Sequence, residues 1–387
     1  MVKAIKVMLI PNNVQKTKMF QYAGASRFAY NWALAREIEN YEKGGKFISD
    51  AELRKEFTKL RHSDEYAWLL NISNNVTKQA IKDACTAYKN FFRGLQKFPR
   101  FKSKKRSMPK FYQDNVKIRF SNTHVKFEGF SSSRKANKQK MNWVRLAEHG
   151  RIPTDVKYMN PRISFDGLNW WISVCVEFPD CRETLNDDGV GIDLGIKDLA
   201  ICSDGTKYKN INKSQKVKKL EKQKRRLQRS ISRSYEKNKK GESYCKTNNV
   251  IKKEKLLLKR NHRLTNIRKN YLNQTISEIV DRKPRFICIE DLNVSGMMKN
   301  RHLSKAVQEQ GFFWFRKQLE YRCSDKGIQL IVADRFYPSS KLCSCCGNIK
   351  KDLKLSDRVY RCACGNMIDR DFQASINLKT YGEKFAS

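Results

Sequence analysis

Five of the chain's 12 cysteines lie close together near the end of the sequence. Four of them form two pairs separated by 15 residues, Cys343-x-x-Cys346 and Cys362-x-Cys364. Thiolates at this spacing are typical of a zinc ribbon, and the glycine after each pair (Gly347 and Gly365) permits a tight turn. Cys345 is a spare, and its use in place of Cys346 is the less favoured alternative. Because four protein ligands leave no position for water, the zinc is predicted to be structural.

Three carboxylates interrupt or end apolar segments. Asp193 lies inside "GVGIDLG", Glu290 ends "RFICIE" and Asp371 begins the helical pattern "DFQASINLKTYG". A charge in a buried element is costly unless it pairs or binds a metal. Carboxylates suit Mg²⁺ or Mn²⁺, and two such ions about 3.5–4 Å apart can activate a water and stabilise the leaving oxygen of a phosphodiester. Together the three acids predict a catalytic magnesium site, whereas an ion pair with Lys or Arg is the alternative for any one of them.

Two further acids adjoin this set. Asp291 follows Glu290, and Asp369 lies two residues before Asp371. Since adjacent side chains of a strand face opposite ways, only one of Glu290 and Asp291 should enter the site. We favour Glu290, because Asp291 is placed to cap the turn "DLNVSG".

The elements around these acids follow a definite order. "GVGIDLGIKDLAICSDGTKYKNI" predicts a three-strand meander with turns at Gly195 and Asp204-Gly205. Helices come next, followed by the strands "FICIE" and "IQLIVAD" and by a terminal helix. This is the element order of an RNase H-like fold. The cysteine module is then an insert between the last core strand and the helix that begins at Asp371.

A basic helical hairpin is predicted between the meander and "FICIE". Its two helices share a narrow apolar seam. The seam residues are Val217, Leu220, Leu227 and Ile231 on the first helix, and Leu257, Leu264, Ile267 and Tyr271 on the second. Charged helix faces are usually only solvated, but this hairpin has so few acids that contact with phosphates is favoured.

The first half of the chain combines strands with a helical block. Residues 3–10 form a first strand and residues 13–95 are helical, with a capping box from Ser49 to Glu52. "VKIRFSNTHVKF" and "RISFDGLNWWISVCVEF" alternate with period two, the second around a turn at Asp166-Gly167. These strands predict a β-barrel or open sheet that the helical block interrupts.

Net charge indicates the partner. The chain has 80 Lys and Arg against 39 Asp and Glu, a formal charge of +41, which points to nucleic acid. In "QKFPRFKSKKR" basic residues alternate with aromatic ones, a pattern that can hold phosphates and stack bases, although a solvated loop is an equal alternative. Candidate nucleic-acid contacts are Lys97, Arg100, Lys102, Lys104, Lys105, Lys222, Arg225 and Arg226.

Two further patterns concern the compartment. The other cysteines are scattered singly, as expected in a reducing environment. The start of the chain has only a short apolar run before Pro11, and no stretch approaches the ~20 apolar residues of a membrane span. We therefore expect a cytoplasmic protein with no membrane partner.

The ordered motifs "GIDLGIKD", "CIEDLN", "SSKLCSCCG", "CACG" and "DRDFQASINL" resemble the TnpB family, transposon-encoded RNA-guided DNA nucleases related to type V CRISPR effectors. "WLLNISNNVTKQAIKDACTAYKNFFRG" and "PRFKSKK" look like the family's N-terminal half. The resemblance implies a multidomain α+β protein: a β-barrel wedge domain with an inserted helical recognition domain, and a RuvC-type nuclease domain carrying a zinc ribbon. The expected bounds are 1–12 and 96–185 for the wedge, 13–95 for recognition, 186–340 and 367–387 for the nuclease (hairpin at about 213–282), and 341–366 for the ribbon.

The same resemblance implies partners and site residues. They are a guide RNA from the element's own end, a double-stranded target DNA beside a short flanking motif, and Asp193, Glu290 and Asp371 as the nuclease acids. Two departures from the family pattern are present. Asp371-Phe-Gln-Ala-Ser stands where Asp-x-Asn-Ala-Ala is common, and one residue instead of two separates the second cysteine pair. Gln373 and Ser375 keep polarity and small size, so we expect activity to be retained.

These features predict one nuclease site. The histidines are scattered and form no His-Asn-His motif, so both DNA strands would visit the carboxylates in turn. Guide pairing would read the target, and the basic helices would hold the duplex backbone. A monomer is the favoured state. The alternatives are a transposase that joins DNA ends, for which the acid order is usually Asp, Asp, Glu, and a catalytically silent RNA- or DNA-binding regulator.

Overall fold

The chain divides into two compact units, Met1–Pro179 and Asp180–Ser387. The computed structural model describes residues 1–130, 141–179, 183–241, 243–354 and 357–386. Each unit contains both helices and strands, so the predicted α+β class is confirmed. Among the described helices, none is long and apolar enough to cross a membrane.

A seven-stranded antiparallel sheet organises the first unit. Its strands are β1 (Val2–Ile10), β2 (Lys110–Tyr112), β3 (Arg119–Phe120), β4 (His124–Lys126), β5 (Trp143–Leu146), β6 (Tyr158–Phe165) and β7 (Trp170–Glu177). They lie in the order β2-β6-β7-β1-β5-β4-β3. β6 and β7 form the hairpin expected around Asp166-Gly167, whereas the alternating run before residue 127 divides into the short strands β3 and β4.

The helical block of this unit lies between β1 and β2 in sequence. It comprises α1 (Asn13–Glu42), α2 (Asp50–Arg61), a 3-10 helix (Asp64–Asn71) and α3 (Asn74–Phe92). The predicted capping box of α2 is present, with Ser49 and Glu52 bonding to each other's backbone N–H. The helices and the sheet share one hydrophobic core: the ring of Tyr22 on α1 lies 5.5 Å from that of Phe111 and 5.3 Å from that of Phe130.

The second unit has a five-stranded sheet in the order β10-β9-β8-β13-β14. In chain order its strands are β8 (Gly189–Leu194), β9 (Asp198–Cys202), β10 (Lys207–Lys209), β13 (Phe286–Glu290) and β14 (Gln329–Ala333). β8, β9 and β10 form the predicted antiparallel meander. β13 runs parallel to both β8 and β14. Two small ribbons complete the strands: β11 (Lys239–Lys240) with β12 (Ser243–Tyr244), and β15 (Val359–Arg361) with β16 (Met367–Asp369).

Six helices accompany this sheet in the described part of the unit. They are α4 (Gln215–Lys237), α5 (Asn248–Val280), α6 (Val294–Lys299), α7 (Ser304–Gln310), α8 (Phe312–Lys326) and α9 (Arg370–Glu383). Residues of α5 and α8 cover one face of the sheet, where they share a core with Ile287 and Ile289 of β13. Leu378 of α9 packs on the other face, against Phe286 and Cys288. Alternate residues of β13 therefore enter different layers.

The predicted basic hairpin is present. α4 and α5 run antiparallel, as the cross-helix contacts of Tyr235 with Glu254 and of Glu221 with Arg268 show. Of the predicted seam residues, Val217, Leu220 and Leu264 form one buried cluster, Ile267 packs against it, and Ile231 is also buried. Tyr271 packs instead with the core of the five-stranded sheet, because the C-terminal part of α5 extends beyond the hairpin and lies on the sheet.

Candidate active site and metal centre

Strand alternation brings Asp193 and Glu290 to one face of the sheet. On β13, Phe286 and Cys288 face α9, so Glu290, two residues further on, faces the same way. On β8, Ile192 and Leu194 belong to the opposite layer, which leaves Asp193 on the α9 face. The parallel register pairs Ile289 with Ile192, so the following positions, Glu290 and Asp193, lie side by side at the carboxyl ends of their strands.

Helix α9 supplies the third acid. Its N-cap is Asp369, whose side chain accepts hydrogen bonds from the backbone N–H groups of Asp371 and Phe372 at 3.1 and 3.0 Å. Asp371 therefore lies in the first turn, where the positive end of the helix dipole favours a carboxylate. The helix can come close to β8 because Gly191 has no side chain: a Cβ there would lie 2.1 Å from the backbone oxygen of Ser375.

The electrostatics of the cluster suit a cation. Burial raises the pKa of Asp193 well above its ordinary value, and the charges of Glu290 and Asp371 raise it further, whereas Arg370 opposes the shift. Arg370 donates to one oxygen of Asp371 at 2.9 Å, and Arg358 lies 3.7 Å from the other. Repulsion among converging carboxylates is what a divalent cation relieves, so these residues fit Mg²⁺ or Mn²⁺.

The acids are not drawn together as closely as the thiols. Among the described residues, the only group of three or more possible ligand atoms within 4.8 Å of one another is formed by cysteines. Glu290 is instead hydrogen-bonded to the hydroxyl of Ser339, and Asp371 to Arg370.

Asp291 has a different role from the predicted one. The cap of α6 is Asn293, whose side chain accepts from the N–H of Gly296 at 2.9 Å. Asp291 pairs with Arg316, at 2.7 Å, and with Arg335. The capping prediction for Asp291 was therefore wrong, because the asparagine two positions later has the spacing that the helix N-terminus needs.

The cysteine cluster has the geometry of a metal centre. The ligand atoms of its four members all lie within 4.8 Å of one another: Cys343, Cys346, Cys362 and Cys364. The sulfurs of Cys343 and Cys364 are 3.7 Å apart, and those of Cys346 and Cys362 are 3.5 Å apart. A tetrahedral site with Zn–S bonds of about 2.3 Å requires sulfur separations of about 3.8 Å. Cys345 lies outside the cluster, which disfavours it as a ligand.

Polar groups around Cys343 favour its thiolate. Burial opposes ionisation, but backbone N–H groups of Cys346 and Cys345 and the side chain of Asn366 lower the pKa of Cys343 to about 6. The amide nitrogen of Asn366 lies 3.4 Å from the sulfur. A metal thiolate commonly accepts such bonds, which orient the ligand and tune its charge.

The candidate nucleic-acid contacts lie in two regions. Lys97, Arg100, Lys104 and Lys105 are exposed in the loop after α3. Lys102 differs from these neighbours: its amine lies over the ring of Tyr30, and its backbone N–H and C=O bond to Asn31 at 2.8 Å each. Burial, with a contribution from Lys110, lowers the pKa of Lys102 to about 7. Lys102 thus anchors the loop that displays the others.

The second region is a groove beside α4. It has a volume of about 610 Å³, and Lys222, Arg225 and Arg226 line it, as do Arg229 and Lys305. The last two were not predicted, although Arg229 follows Arg225 and Arg226 at helical spacing. Ser339 and Arg370 at the carboxylates were also missed. For Arg370 the signal was present in "DRD", whereas no local pattern marks Ser339.

Comparisons with known proteins show which family the chain is similar to. Three family models match: "Probable transposase" of the IS605 OrfB group over residues 173–301, its "Helix-turn-helix domain" over 1–46, and the "Cas12f1-like, TNB domain" over 312–378. A solved Cas12f1–sgRNA–target DNA complex shares the fold, with a TM-score of 0.61 at 12% identity over 98% of both chains.

Curated relatives match over nearly the full length. The "Putative RNA-guided DNA endonuclease InsQ" of Escherichia coli K12 is 31% identical over 379 residues, which cover 93% of this chain and 87% of that protein. A "Putative RNA-guided DNA endonuclease" of Streptomyces pristinaespiralis is 28% identical over 98% of this chain and 89% of its own. With 31% identity over 93% of this chain, the chain belongs to the TnpB family.

Proposed function

We propose that this protein is an RNA-guided DNA endonuclease, which binds a guide RNA, recognises a motif-flanked DNA target and hydrolyses both strands at one site. The observation that carries the proposal is the meeting of Asp193, Glu290 and Asp371 on one face of the sheet, at the ends of β8 and β13 and in the first turn of α9. The names of the curated relatives and the charge of +41 support it.

The proposal includes a finer description of the fold. The sheet order β10-β9-β8-β13-β14, in which β8 is antiparallel to β9 and parallel to β13, supports an RNase H-like nuclease domain of the RuvC type. The seven-stranded sheet with the helices Asn13–Phe92 inserted after β1 supports a wedge domain bearing a recognition domain. The domain bounds given from the sequence are part of this proposal, as is a zinc ribbon over residues 341–366.

The carboxylates would hold magnesium or manganese, which would supply an activated water and a counter-charge for the leaving oxygen. The backbones of Asp193 and Glu290 are held by adjacent parallel strands, and that of Asp371 by its helix cap, so the core sets where the three side chains begin. Arg370 balances charge beside Asp371 and can also meet a phosphate oxygen. The four cysteines would hold one structural Zn²⁺ away from this chemistry.

The basic groove beside α4 supports binding of a nucleic-acid backbone. Arg225 and Arg226 lie next to each other on α4, Arg229 lies one turn further along the same helix, and Lys305 also lines the groove. Contacts of this type neutralise phosphates without reading bases, which suits a protein whose guide supplies the sequence recognition. Exposed Lys97, Arg100, Lys104 and Lys105 offer a second backbone contact.

The first test is to sequence the RNA that co-purifies when the protein is expressed with its native flanking DNA. A discrete structured RNA ending in variable sequence supports the guide and defines the DNA to offer. Random cellular RNA, or none, would contradict guided cleavage.

The second test is cleavage of that DNA by the Asp193→Ala variant. We expect Mg²⁺-dependent cleavage to be abolished while RNA and DNA binding remain. Asp187→Ala, at an exposed acid just before β8, is the matched control and should cleave normally. Residual cleavage by Asp193→Ala equal to that of the control would remove the site assignment, and joining of DNA ends in place of hydrolysis would favour a transposase.

A further inference from the structure

A short segment links the two clusters. Residues 339–342, here called the connecting segment, follow β14 and lead directly into Cys343. Its first residue, Ser339, is only 3% exposed, and its hydroxyl donates a hydrogen bond to Oε1 of Glu290. One end of the segment therefore touches a carboxylate of the proposed nuclease site, and the other end adjoins Cys343 of the metal centre.

Helix α9 holds both ends of this segment through one buried amide. Asn377 is 2% exposed, and its Nδ2 donates to the carbonyl oxygen of Ser339 at 2.7 Å and to that of Leu342 at 2.7 Å. An amide nitrogen has two N–H groups, so both are satisfied in this arrangement alone. Any shift of the segment would leave a buried donor unpaired, which is unfavourable.

A second buried amide ties the same helix to the metal centre. Gln373 is fully buried, and its Nε2 donates to the carbonyl of Leu342 at 2.8 Å. Its oxygen accepts from Asn366 at 2.9 Å, and Asn366 also reaches the sulfur of Cys343. This accounts for the polar residue at position 373, where both ends of the glutamine side chain are used.

We propose that Ser339 is a positioning residue for Glu290, held in place by Asn377 and, through Leu342, by the metal centre. The inference rests on the proposed nuclease site. Glutamate has three side-chain torsions, and a single donor fixes one oxygen while the second stays free to bind a cation. Because Ser339 is itself fixed by the helix that carries Asp371, the two carboxylates are held relative to each other by a hydrogen-bonded path independent of the sheet.

The test compares Ser339→Ala with Ser340→Ala, the same substitution at the next residue, whose side chain is partly exposed. Mn²⁺ binding to zinc-loaded, RNA-free, full-length protein is measured from the electron paramagnetic resonance signal of free Mn²⁺. The Mg²⁺ concentration for half-maximal cleavage is measured on the guided complex. Loss of a residue that orients a metal ligand typically weakens metal affinity or activity about 10- to 100-fold. We expect such a loss for Ser339→Ala only, with zinc content and melting temperature close to wild type.

Asn377→Ala closes a double-mutant cycle. If Ser339 and Asn377 act on Glu290 as one unit, the double variant should lose no more Mn²⁺ affinity than the single variant that binds Mn²⁺ more weakly. Additive losses would refute the path through Asn377. Should Asn377→Ala fail to fold, the Ser339 comparison decides alone.

Asp193→Ala separates this inference from the proposed function. If Asp193→Ala loses Mn²⁺ binding but Ser339→Ala binds Mn²⁺ like wild type, the positioning role is refuted and the nuclease site stands. If Asp193→Ala also binds Mn²⁺ like wild type, the carboxylate site itself is refuted, and the positioning role with it.

Discussion

Gly191 is the point at which the fold permits the site to form, and Gly191→Ala should both destabilise the protein and slow cleavage. The residue lies on β8, two positions before Asp193, on the face that α9 covers. A Cβ at this position would lie 2.1 Å from the backbone oxygen of Ser375 and 2.3 Å from the backbone nitrogen of Lys379. Neither atom can rotate away, so the helix itself must move.

The size of the effect follows from the required movement. Ordinary van der Waals contact of a Cβ begins at 3.4 Å, so α9 must withdraw by about 1 Å. Inserting one carbon into a packed core typically costs about 1–3 kcal/mol of unfolding free energy. The same withdrawal carries Asp371 away from Asp193, and a misplacement of about 1 Å can cost about 100-fold in rate.

Guanidinium denaturation and single-turnover cleavage at saturating guide measure the two effects separately. Gly24→Ala is the control, because a Cβ at Gly24, inside α1, meets nothing within 4 Å. That control should cleave normally and be more stable by up to about 1 kcal/mol, since alanine favours helix over glycine. Wild-type stability and wild-type cleavage by Gly191→Ala would refute the close contact of β8 with α9.

Three further predictions address other parts of the molecule. Elemental analysis of the wild type should find about one zinc per chain. Cys346→Ser should lose this zinc and Cys345→Ser should keep it, and an unchanged zinc content in Cys346→Ser would exclude Cys346 as a ligand. Replacing Arg225 or Arg226 with Gln should reduce the slope of log affinity against log salt by about 1 each, and an unchanged slope would argue against phosphate contact. Because the folded pKa of Lys102 is lowered to about 7 from an ordinary 10.5, the unfolded chain binds more protons between these values. Between pH 7 and 9 the wild type should therefore gain stability relative to Lys102→Met, as denaturation at both pH values would show; parallel curves would contradict this.

The sequence predicted the elements of the second unit well because their signals are local. Period-two alternation placed Glu290 and Asp291 on opposite faces, and the structure shows Asp291 directed to Arg316 and Arg335 instead of toward the acids. The meander and the strands around Glu290 also follow from apolar runs and turn residues. Their order in the sheet needed the additional assumption of a known fold, since no local pattern states which strands pair.

What the sequence could not predict depends on contacts between distant residues. Ser339 meets Glu290 across 49 positions, and Asn377 meets Ser339 across 38. A serine in "PSSK" has no periodicity that marks it as buried. Lys102 is similar. The basic segment around it suggested a phosphate contact, but the hydrogen bond of its backbone to Asn31, 71 positions away, makes it an anchor of its loop. The role of a single polar residue is decided by its tertiary contacts, whereas an apolar pattern reveals the local secondary structure.

These contacts explain why a cysteine cluster directly precedes a carboxylate. An insert between the last strand of a sheet and the next helix lengthens the connection, and closing a longer loop costs conformational entropy. Here the sulfurs of Cys343 and Cys364 lie 3.7 Å apart, so a metal bound by the four thiols would close the insert at its base. At the start of the insert, Asn377 donates to the carbonyl of Leu342, and at its end the chain passes into α9 at the N-cap residue Asp369. We therefore propose that the cysteine module is a second support for Glu290 and Asp371, in addition to the strand and the helix cap that carry them.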